Sequence, residues 1–568
     1  MLHCLPYFVG WRTAKIFMLN FFPAALMLPG DAFDLDSHQV MGRRVAGRSF
    51  VRGLVGHLRP FEHLNILVSK PEEIISLKSL LQPVLPPQAK LKFHIGFSPD
   101  ILVDVGALHV PDPGLARWAL LREGRATNSL SITGVIHTLC SQNVISSLEN
   151  LAVAPLEPWD ALVCTSTAGR DVVAQAMASQ HEALSRRYGV CLPPPPGPQL
   201  PVIPLAIEDS LPPVDNRNDL RSKARQSLGI PKNAFVVLFL GRLSFHSKAH
   251  PLVLYRALSQ LNSECGNVIL LECGHLFNSY IASAYDELHS FFPDFSVKRL
   301  GGLEPASEED KQLALAASDV FVSLADNLQE TFGLSLLEAM AAQLPTVVSD
   351  WNGYRDLVEH GVSGFLIPTR SVLSSELHLD YLDQQYRLGL LDYDTYVGIR
   401  SLEVIVEEIT LLKTLRFLYL NPDRRSAIGA CARDLWIRKF SWPVVNVQYR
   451  SLWDQLAELR SSSIASCPPS SFGSTGRLFR SYPSSFVSFD SLICSGHGLT
   501  LPALLYSPMQ NTFMRTLCGD SLDTLVSYLE SSHVIDLNDL KRLGVDSVHH
   551  QSVLAALVKF GIAHPIQG

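Results

Sequence analysis

Two glutamates, Glu330 and Glu338, stand eight positions apart in QETFGLSLLEAM, and the seven residues between them carry no charge. Most helical glutamates sit among lysines and arginines on a wet face, whereas these two flank an apolar run. The segment DVFVSLADN before them has the character of a strand with a polar end, and TFGLSLLEAMAAQ after them reads as a helix start. Glu330 is therefore expected in a strand-to-helix turn and Glu338 inside the helix. The backbone amides of Phe332, Gly333 and Leu334 would then be donors without intrahelical partners at a helix N-terminus, a place suited to a phosphate. Gly333 would let backbone approach a ligand closely. A carboxylate on each side of a phosphate site could accept hydrogen bonds from sugar hydroxyls, one from a hexose and one from a ribose. Two readings stay open for these residues alone: a nucleotide-sugar site, or a helix N-terminus stabilised by Glu330 with Glu338 as a solvated residue.

Three further stretches hold residues of the right chemistry. FVVLFLGRLSFHSKAHP is a buried strand followed by Gly241, Arg242 and Lys248. Gly241 permits a tight exit, Arg242 offers a planar fork and Lys248 a mobile point charge, both fit for a diphosphate. LSITGVIHTL ends a strand at His137, which is either a hydrogen-bonded structural residue or a group at the edge of a cleft. MGRRVAGRSFV places Gly42 at the opening of a helix after the first strand, where backbone can meet a ligand. Two D-x-D triplets, Asp34/Asp36 and Asp392/Asp394, could serve a metal. Such triplets arise by chance in long chains, and no metal is expected at either.

These residues need a frame that brings strand ends together. The chain has 568 residues, 47% of them hydrophobic and 18% charged, with a net charge of -7. That supplies large cores, argues against disorder and gives no signal for nucleic acid. Short apolar runs alternate with longer amphipathic ones, the pattern of parallel α/β sheets. In the first series the candidates are AALMLPGD, HLNILVS, AKLKFHIGF, ILVDVGALHV, LSITGVIHT, WDALVCTS and QLPVIPLAI. In the second they are AFVVLFLG, NVILLECG, VKRLGG, DVFVSLAD, PTVVSD and GFLIPT. The fold class expected is α/β, with two doubly wound Rossmann-like domains facing a cleft and a small, mainly helical C-terminal extension. Ligands of such sheets bind beyond the carboxyl ends of the strands.

The expected boundaries are an N-terminal extension over 1–20 and a first Rossmann-like domain over 21–208. A second Rossmann-like domain follows over 209–430, with a helical, strand-free insertion at 371–430. A last amphipathic helical stretch covers 431–460, a Ser/Pro-rich linker covers 461–515, and a small helical or winged-helix-like unit covers 516–568. AKIFMLNFFPAALMLPGDA shares features with a secretory signal, but Asn20 and Pro23 interrupt it, so an extension leading into a buried strand is the expectation. Ten scattered cysteines without a C-x-x-C pair fit free thiols in a reducing compartment, hence a cytoplasmic location.

Together these motifs resemble the retaining glycosyltransferases of the two-domain GT-B fold, in particular the group-1/family-4-like set, whose signature is Glu, seven residues, Glu. ETFGLSLLEAMAAQLPTVVSD carries that signature, GRLSFHSKAHP looks like the family's Arg/Lys diphosphate clamp and GVSGFLIPT like its closing strand. The resemblance is strong over about 230 to 370 and looser over about 24 to 207. It returns in FSWPVVNVQYRSLW and does not cover 1–20 or the region after about 461; it implies that 21–208 is the acceptor domain, that 209–430 is the donor-binding domain and that 431–460 is a crossover helix returning to the first domain. It implies transfer of a sugar from a nucleotide-diphosphate donor to an unknown acceptor (glycan, lipid or small molecule), with retention and without a metal or other cofactor. By that resemblance Arg242 and Lys248 would neutralise the leaving diphosphate, and Glu330 would bind the donor sugar near its anomeric carbon. Glu338 would bind the ribose, and Phe332, Gly333 and Leu334 would give amides to phosphate and sugar. His137 would stand beside the sugar, and Gly42 and Gly241 would approach the phosphates or acceptor. The sequence departs from the family at Ala249, at PLAIED and at SDWNGYRDLV, so Asn352, Gly353 and Tyr354 have no assigned role. Two rivals remain, another enzyme of this fold such as a sugar-nucleotide epimerase or phosphorylase, and a non-catalytic nucleotide-sugar-binding scaffold. Nucleic acid is not an expected partner. Peripheral membrane contact and a protein partner at the C-terminal unit are compatible with the sequence.

Overall fold

The computed structural model describes residues 21–33, 42–96, 102, 105–122, 125–209, 217–372, 379–467, 473–494 and 505–565. Residues 1–20, including part of the signal-like stretch, and Asp34 and Asp36 lie outside them. The chain divides into two compact units, Met1–Ser471 and Phe472–Gly568.

The first unit holds two parallel six-stranded sheets. The first is built from β1 (Ala25–Met27), β2 (His63–Val68), β3 (Lys90–Ile95), β4 (Ala107–Val110), β5 (Ser131–Val135) and β6 (Ala161–Val163), in the order β3-β2-β1-β4-β5-β6. The second is built from β7 (Phe235–Leu243), β8 (Val268–Leu276), β9 (Ser296–Leu300), β10 (Val320–Ser323), β11 (Thr346–Ser349) and β12 (Gly364–Ile367), in the order β12-β11-β10-β7-β8-β9. The winding is the same in both: each sheet reverses direction between its first and fourth strands, β1/β4 and β7/β10. The central strands read as unbroken apolar runs because helices cover both faces of a parallel sheet, and β4, β5, β6, β10 and β11 are buried throughout.

Helix Gly42–Gly56 begins at the glycine where the sequence places a helix start, and helix Thr167–Tyr188 follows β6. QLPVIPLAI is not a full strand: its prolines cannot donate, so it runs along β6 through bridges at Ala161 with Gln199 and Cys164 with Val202, and its last residue bridges Ser441.

Two expectations for residues 369–460 change. The insertion is not strand-free: Thr369–Ser371 pairs antiparallel with Val404–Val406 and closes the base of a helical hairpin. Helix Pro422–Lys439 buries Ala432, Leu435 and Trp436 in the core of the second domain, so the return begins after it, near Phe440. Helix Trp442–Ser462 then packs Trp442, Val445, Tyr449, Trp453 and Leu456 among Phe22, Phe50 and Leu54 of the first domain. Ser441 bridges Ile207, so the two chain crossings between the domains lie side by side.

The second unit, described by itself, has a three-stranded antiparallel sheet of Ser491–Cys494, Val534–Asp536 and Ala563–Pro565. Four helices, Pro508–Cys518, Leu522–Ser531, Leu537–Arg542 and His550–Lys559, share its core around Leu492, Leu525, Leu540 and Leu554. The strand Ser491–Cys494 falls inside the expected linker, where its serines and prolines hid a short apolar LIC run. Among the described residues no helix is long and apolar enough to cross a membrane.

Candidate functional site

The site is built at the carboxyl edge of the second sheet, where β7 and β10 diverge. After β10 the chain runs through Asp326 and Asn327 to Glu330, and the Leu334–Ala341 helix begins four residues later. Gly333 caps that helix at φ 114°, ψ 74°, a conformation that glycine adopts readily. A Cβ there would stand 2.5 Å from the Tyr354 ring. The helix sinks Leu336 and Leu337 completely, which explains the charge-free run: the segment is core on one face and backbone donors at its start.

Glu330 is 12% exposed and accepts a hydrogen bond from Lys248 Nζ. Burial pushes its carboxyl up, but Lys248 and the amides of Phe332 and Thr331 outweigh this and hold it below the usual range. Those amides reach its Oε1 at 3.3 Å and 3.2 Å. One expectation is corrected here: the amide of Phe332 is not a free donor, because Glu330 turns back onto it. Leu334, at the first helical position, retains an amide with no intrahelical acceptor. Phe332 itself is buried in the second-domain core.

Arg242 follows Gly241, which has φ 140° and lies so close to the next strand that a Cβ on Gly274 would be 1.7 Å from its carbonyl oxygen. Burial lowers the Arg242 pKa, partly offset by Tyr393, Asp394 and Glu330 nearby. Arg242, Lys248 and Glu330 are thus brought into one electrostatic neighbourhood. Glu338 lies on the helix and is engaged by Lys311 Nζ at 2.8 Å, a partner the sequence did not suggest.

His137 reaches the same place from the first domain. It sits just past β5, and its carbonyl accepts a hydrogen bond from Thr331 Oγ1 at 2.7 Å. The carbonyl of Thr331 in turn accepts from Ser166 Oγ at 2.9 Å. The residue next to Glu330 therefore stitches the two domains together. Gly42 opens its helix, and among the described residues no hydrogen bond joins it to Glu330 or Lys248.

Several residues that shape the turn carried no assigned role in the sequence. Asn327, fully buried, donates to the Lys248 carbonyl at 2.7 Å and accepts from the amides of Gln329 and Glu330 at 2.9 Å and 3.2 Å. It fixes the lysine loop and the glutamate turn relative to each other, and an Asn between a strand and a helix was the available signal. Asn352 donates to the Glu330 carbonyl at 2.8 Å, Gly353 admits the Thr331 carbonyl, and the Tyr354 hydroxyl bonds Ser323 at 2.8 Å. These three residues back the turn. Asp326, 5% exposed, accepts from the His250 amide at 3.1 Å, and burial raises its pKa to about 7.

The triplet at Asp392 and Asp394 has a local purpose. Asp392 caps a helix by accepting from the amide and hydroxyl of Thr395 at 3.0 Å and 2.7 Å, while Asp394 stands 3.8 Å from His246 Nε2.

Residues 221–385 match the family described as glycosyl transferases group 1. The second domain belongs to that family. The chain is similar to a phosphatidyl-myo-inositol mannosyltransferase of Mycobacterium leprae (strain TN), 30% identical over 47% of this chain and 60% of the relative. It is also similar to a D-inositol 3-phosphate glycosyltransferase of Xylanimonas cellulosilytica, 28% identical over 41% of this chain and 54% of the relative. The chain thus spans less than two thirds of the length of either. A crystal structure of Anabaena Alr3699/HepE in complex with UDP aligns over 76% of this chain and 100% of its own, at 17% identity and a TM-score of 0.48, a likeness too distant to bear on function.

Proposed function

We propose that the protein is a glycosyltransferase that moves a sugar from a nucleotide-diphosphate donor, held by the group 1 domain, to an acceptor held by the first domain. The observation that carries this reading is the Lys248–Glu330 pair, nearly buried at the carboxyl edge of the second sheet, with Arg242 beside it and a helix N-terminus in front. Breaking a glycosyl–phosphate bond builds negative charge on the departing diphosphate and positive charge on the sugar ring. Two cations preset for the first and a carboxylate for the second would supply that stabilisation without a metal. Lys248 holds Glu330 ionised until a diphosphate competes for the ammonium. Glu338 would hold the ribose and exchange Lys311 for it, and His137 would stand against the sugar. The amides of Gly333 and Leu334, and the close-approach backbone at Gly241 and Gly42, would meet phosphates or acceptor. Retention rests on the family resemblance. The names of the two relatives, a mannosyltransferase and a glycosyltransferase, support glycosyl transfer. A cytoplasmic location is supported by the free state of all nine described cysteines.

The test is a thermal-shift screen with UDP-, GDP-, ADP- and TDP-sugars. The true donor raises Tm with the logarithm of its concentration above Kd, because it binds the folded state only. Absence of a shift with all four, together with unchanged cellular phenotype on Glu330→Ala and Arg242→Ala, would overturn the reading.

A further inference from the structure

A helical hairpin crosses from the group 1 domain to the first domain directly over the candidate site. Its helices, Tyr381–Arg387 and Tyr393–Leu402, rise from the Thr369–Ser371/Val404–Val406 ladder. The family match ends at 385, so most of this hairpin lies beyond it. Arg400, its side chain 4% exposed, braces the hairpin from within by pairing with Asp380, Asp383 and Glu403. The rings of Tyr386 and Tyr396 stack at 4.0 Å and 4°.

The outward side of this braced unit seats on first-domain residues. Tyr386, Tyr396 and Val397 share a cluster with Cys140, and Ile145 and Leu328 pack against it. The Tyr386 hydroxyl donates to the Cys140 carbonyl at 3.1 Å and accepts from the Gln142 amide at 3.1 Å. Tyr393 Oη lies 3.3 Å from Cys140 Sγ, and Arg387 pairs with Glu149 at 2.7 Å. On its other flank the hairpin meets the loop that follows β7 and Arg242: Gly398 abuts His246, and Asp394 faces it. The first-domain loop 137–142 is therefore held at both ends, by Thr331 at His137 and by Tyr386 at Cys140 and Gln142.

We infer that Tyr386 is a positioning residue for His137, holding the loop 137–142 so that the His137 backbone stays docked on Thr331, next to Glu330, and the loop meets the sugar end of the donor. The inference deepens the proposed function and rests on it for the identity of the ligand. Its geometry separates two parts of one ligand. Tyr386 grips the loop that bears His137, so it governs contacts to the sugar; the diphosphate side, at Arg242, meets the hairpin through Tyr393 and Asp394 instead, which a change at the Tyr386 hydroxyl leaves in place.

The test compares Tyr386→Phe with Tyr396→Phe in the full chain. Tyr386→Phe keeps the ring stack and removes the two bonds to the loop. Tyr396→Phe removes bonds to Asp383 and Arg400, both inside the hairpin, and none to the loop. Hydrogen–deuterium exchange of the peptide covering 136–142 is expected to quicken several-fold in Tyr386→Phe and stay at the wild-type rate in Tyr396→Phe. Kd values are measured in parallel for UDP, GDP, ADP and TDP and for their sugars. Tyr386→Phe is expected to weaken the nucleotide sugar about tenfold while the matching nucleoside diphosphate stays within about twofold. Unchanged exchange in the loop, equal exchange in the two variants, or an equal loss for diphosphate and sugar would each overturn the inference. If wild-type protein binds none of the nucleotides, the proposed function fails, and the exchange comparison still decides whether Tyr386 holds the loop.

Discussion

Both sheets bury acid–base pairs, but at opposite edges and with different cations. At the amino edge Asp160, one residue before β6, is gripped by Arg122 through both oxygens at 2.9 Å and 2.8 Å. Glu62, one residue before β2, is gripped the same way by Arg450 at 2.8 Å and 2.7 Å. Asp319, one residue before β10, meets Arg221, Arg225 and Arg425 and also accepts from the Val236 amide. Each of these carboxylates is saturated by rigid forks and backbone donors, which ties a strand start to a distant helix. At the carboxyl edge of the second sheet the pair is Lys248 with Glu330, a single-point cation on a flexible stem, and a carboxylate whose other contacts are its own neighbouring amides at 3.2 Å and 3.3 Å. A saturated arginine cage has nothing to offer a ligand. A lysine–glutamate pair can trade either partner for one. Burial of charge alone therefore does not mark the site; the edge and the kind of cation do.

The sharpest way to break this contrast is Asp319→Ala. It strands three arginine charges, one of them fully buried, and is expected to cost about 3–5 kcal/mol in urea unfolding. If the chain tolerated it as well as a change at Lys248, the amino-edge cages would not be structural.

Asp326 supplies a third case, a carboxyl at the same edge as Glu330 but with no cation. Its folded value, about 7, lies above its ordinary value near 3.8, so the folded state binds the proton more tightly. The stability this contributes is complete below the unfolded value and is lost as pH rises through about 7. Asp326→Asn should remove that loss, so the variant gains on wild type by roughly 1 kcal/mol per pH unit between about 4 and 7. Unfolding at several pH values checks it; a pH-independent difference would contradict the assignment.

Glu330→Gln should separate function from fold. Transfer is expected to fall by on the order of 100-fold, while the stability loss should stay below that of Asp319→Ala, because one lysine rather than three arginines loses its carboxylate and Lys248 can turn toward solvent. The smallest effect is expected at Glu338→Gln, which loosens Lys311 and should weaken the nucleotide by about 1 kcal/mol with little change in the chemical step. Isothermal titration with the nucleoside diphosphate and single-turnover kinetics would distinguish these two glutamates.

Legibility followed locality. The strands of both sheets and the helix after Glu330 were readable because a parallel strand is apolar on both faces and its boundaries fall within a few residues of sequence. Helix Pro422–Lys439 was misassigned because an amphipathic pattern shows that a face is buried and is silent about which domain buries it. The Phe332 amide was misread for a related reason: a carboxylate two residues away was a competing acceptor, and only the turn's path showed that it reached. Tyr386 and Thr331 gave no signal at all, since their partners, Cys140, Gln142 and His137, are roughly 190 to 250 positions away.

By itself the sequence determined which residues could carry charge, hydroxyl or open backbone to a strand end, and the period of the apolar pattern determined that the ends would belong to two doubly wound sheets. Only the tertiary structure decided that Lys248 meets Glu330, that Lys311 occupies Glu338, and that a hairpin from one domain holds the His137 loop of the other. Periodicity is a property of neighbours along the chain. Pairing across a cleft depends on how two cores are joined at Ile207 and Ser441, and no local pattern encodes it.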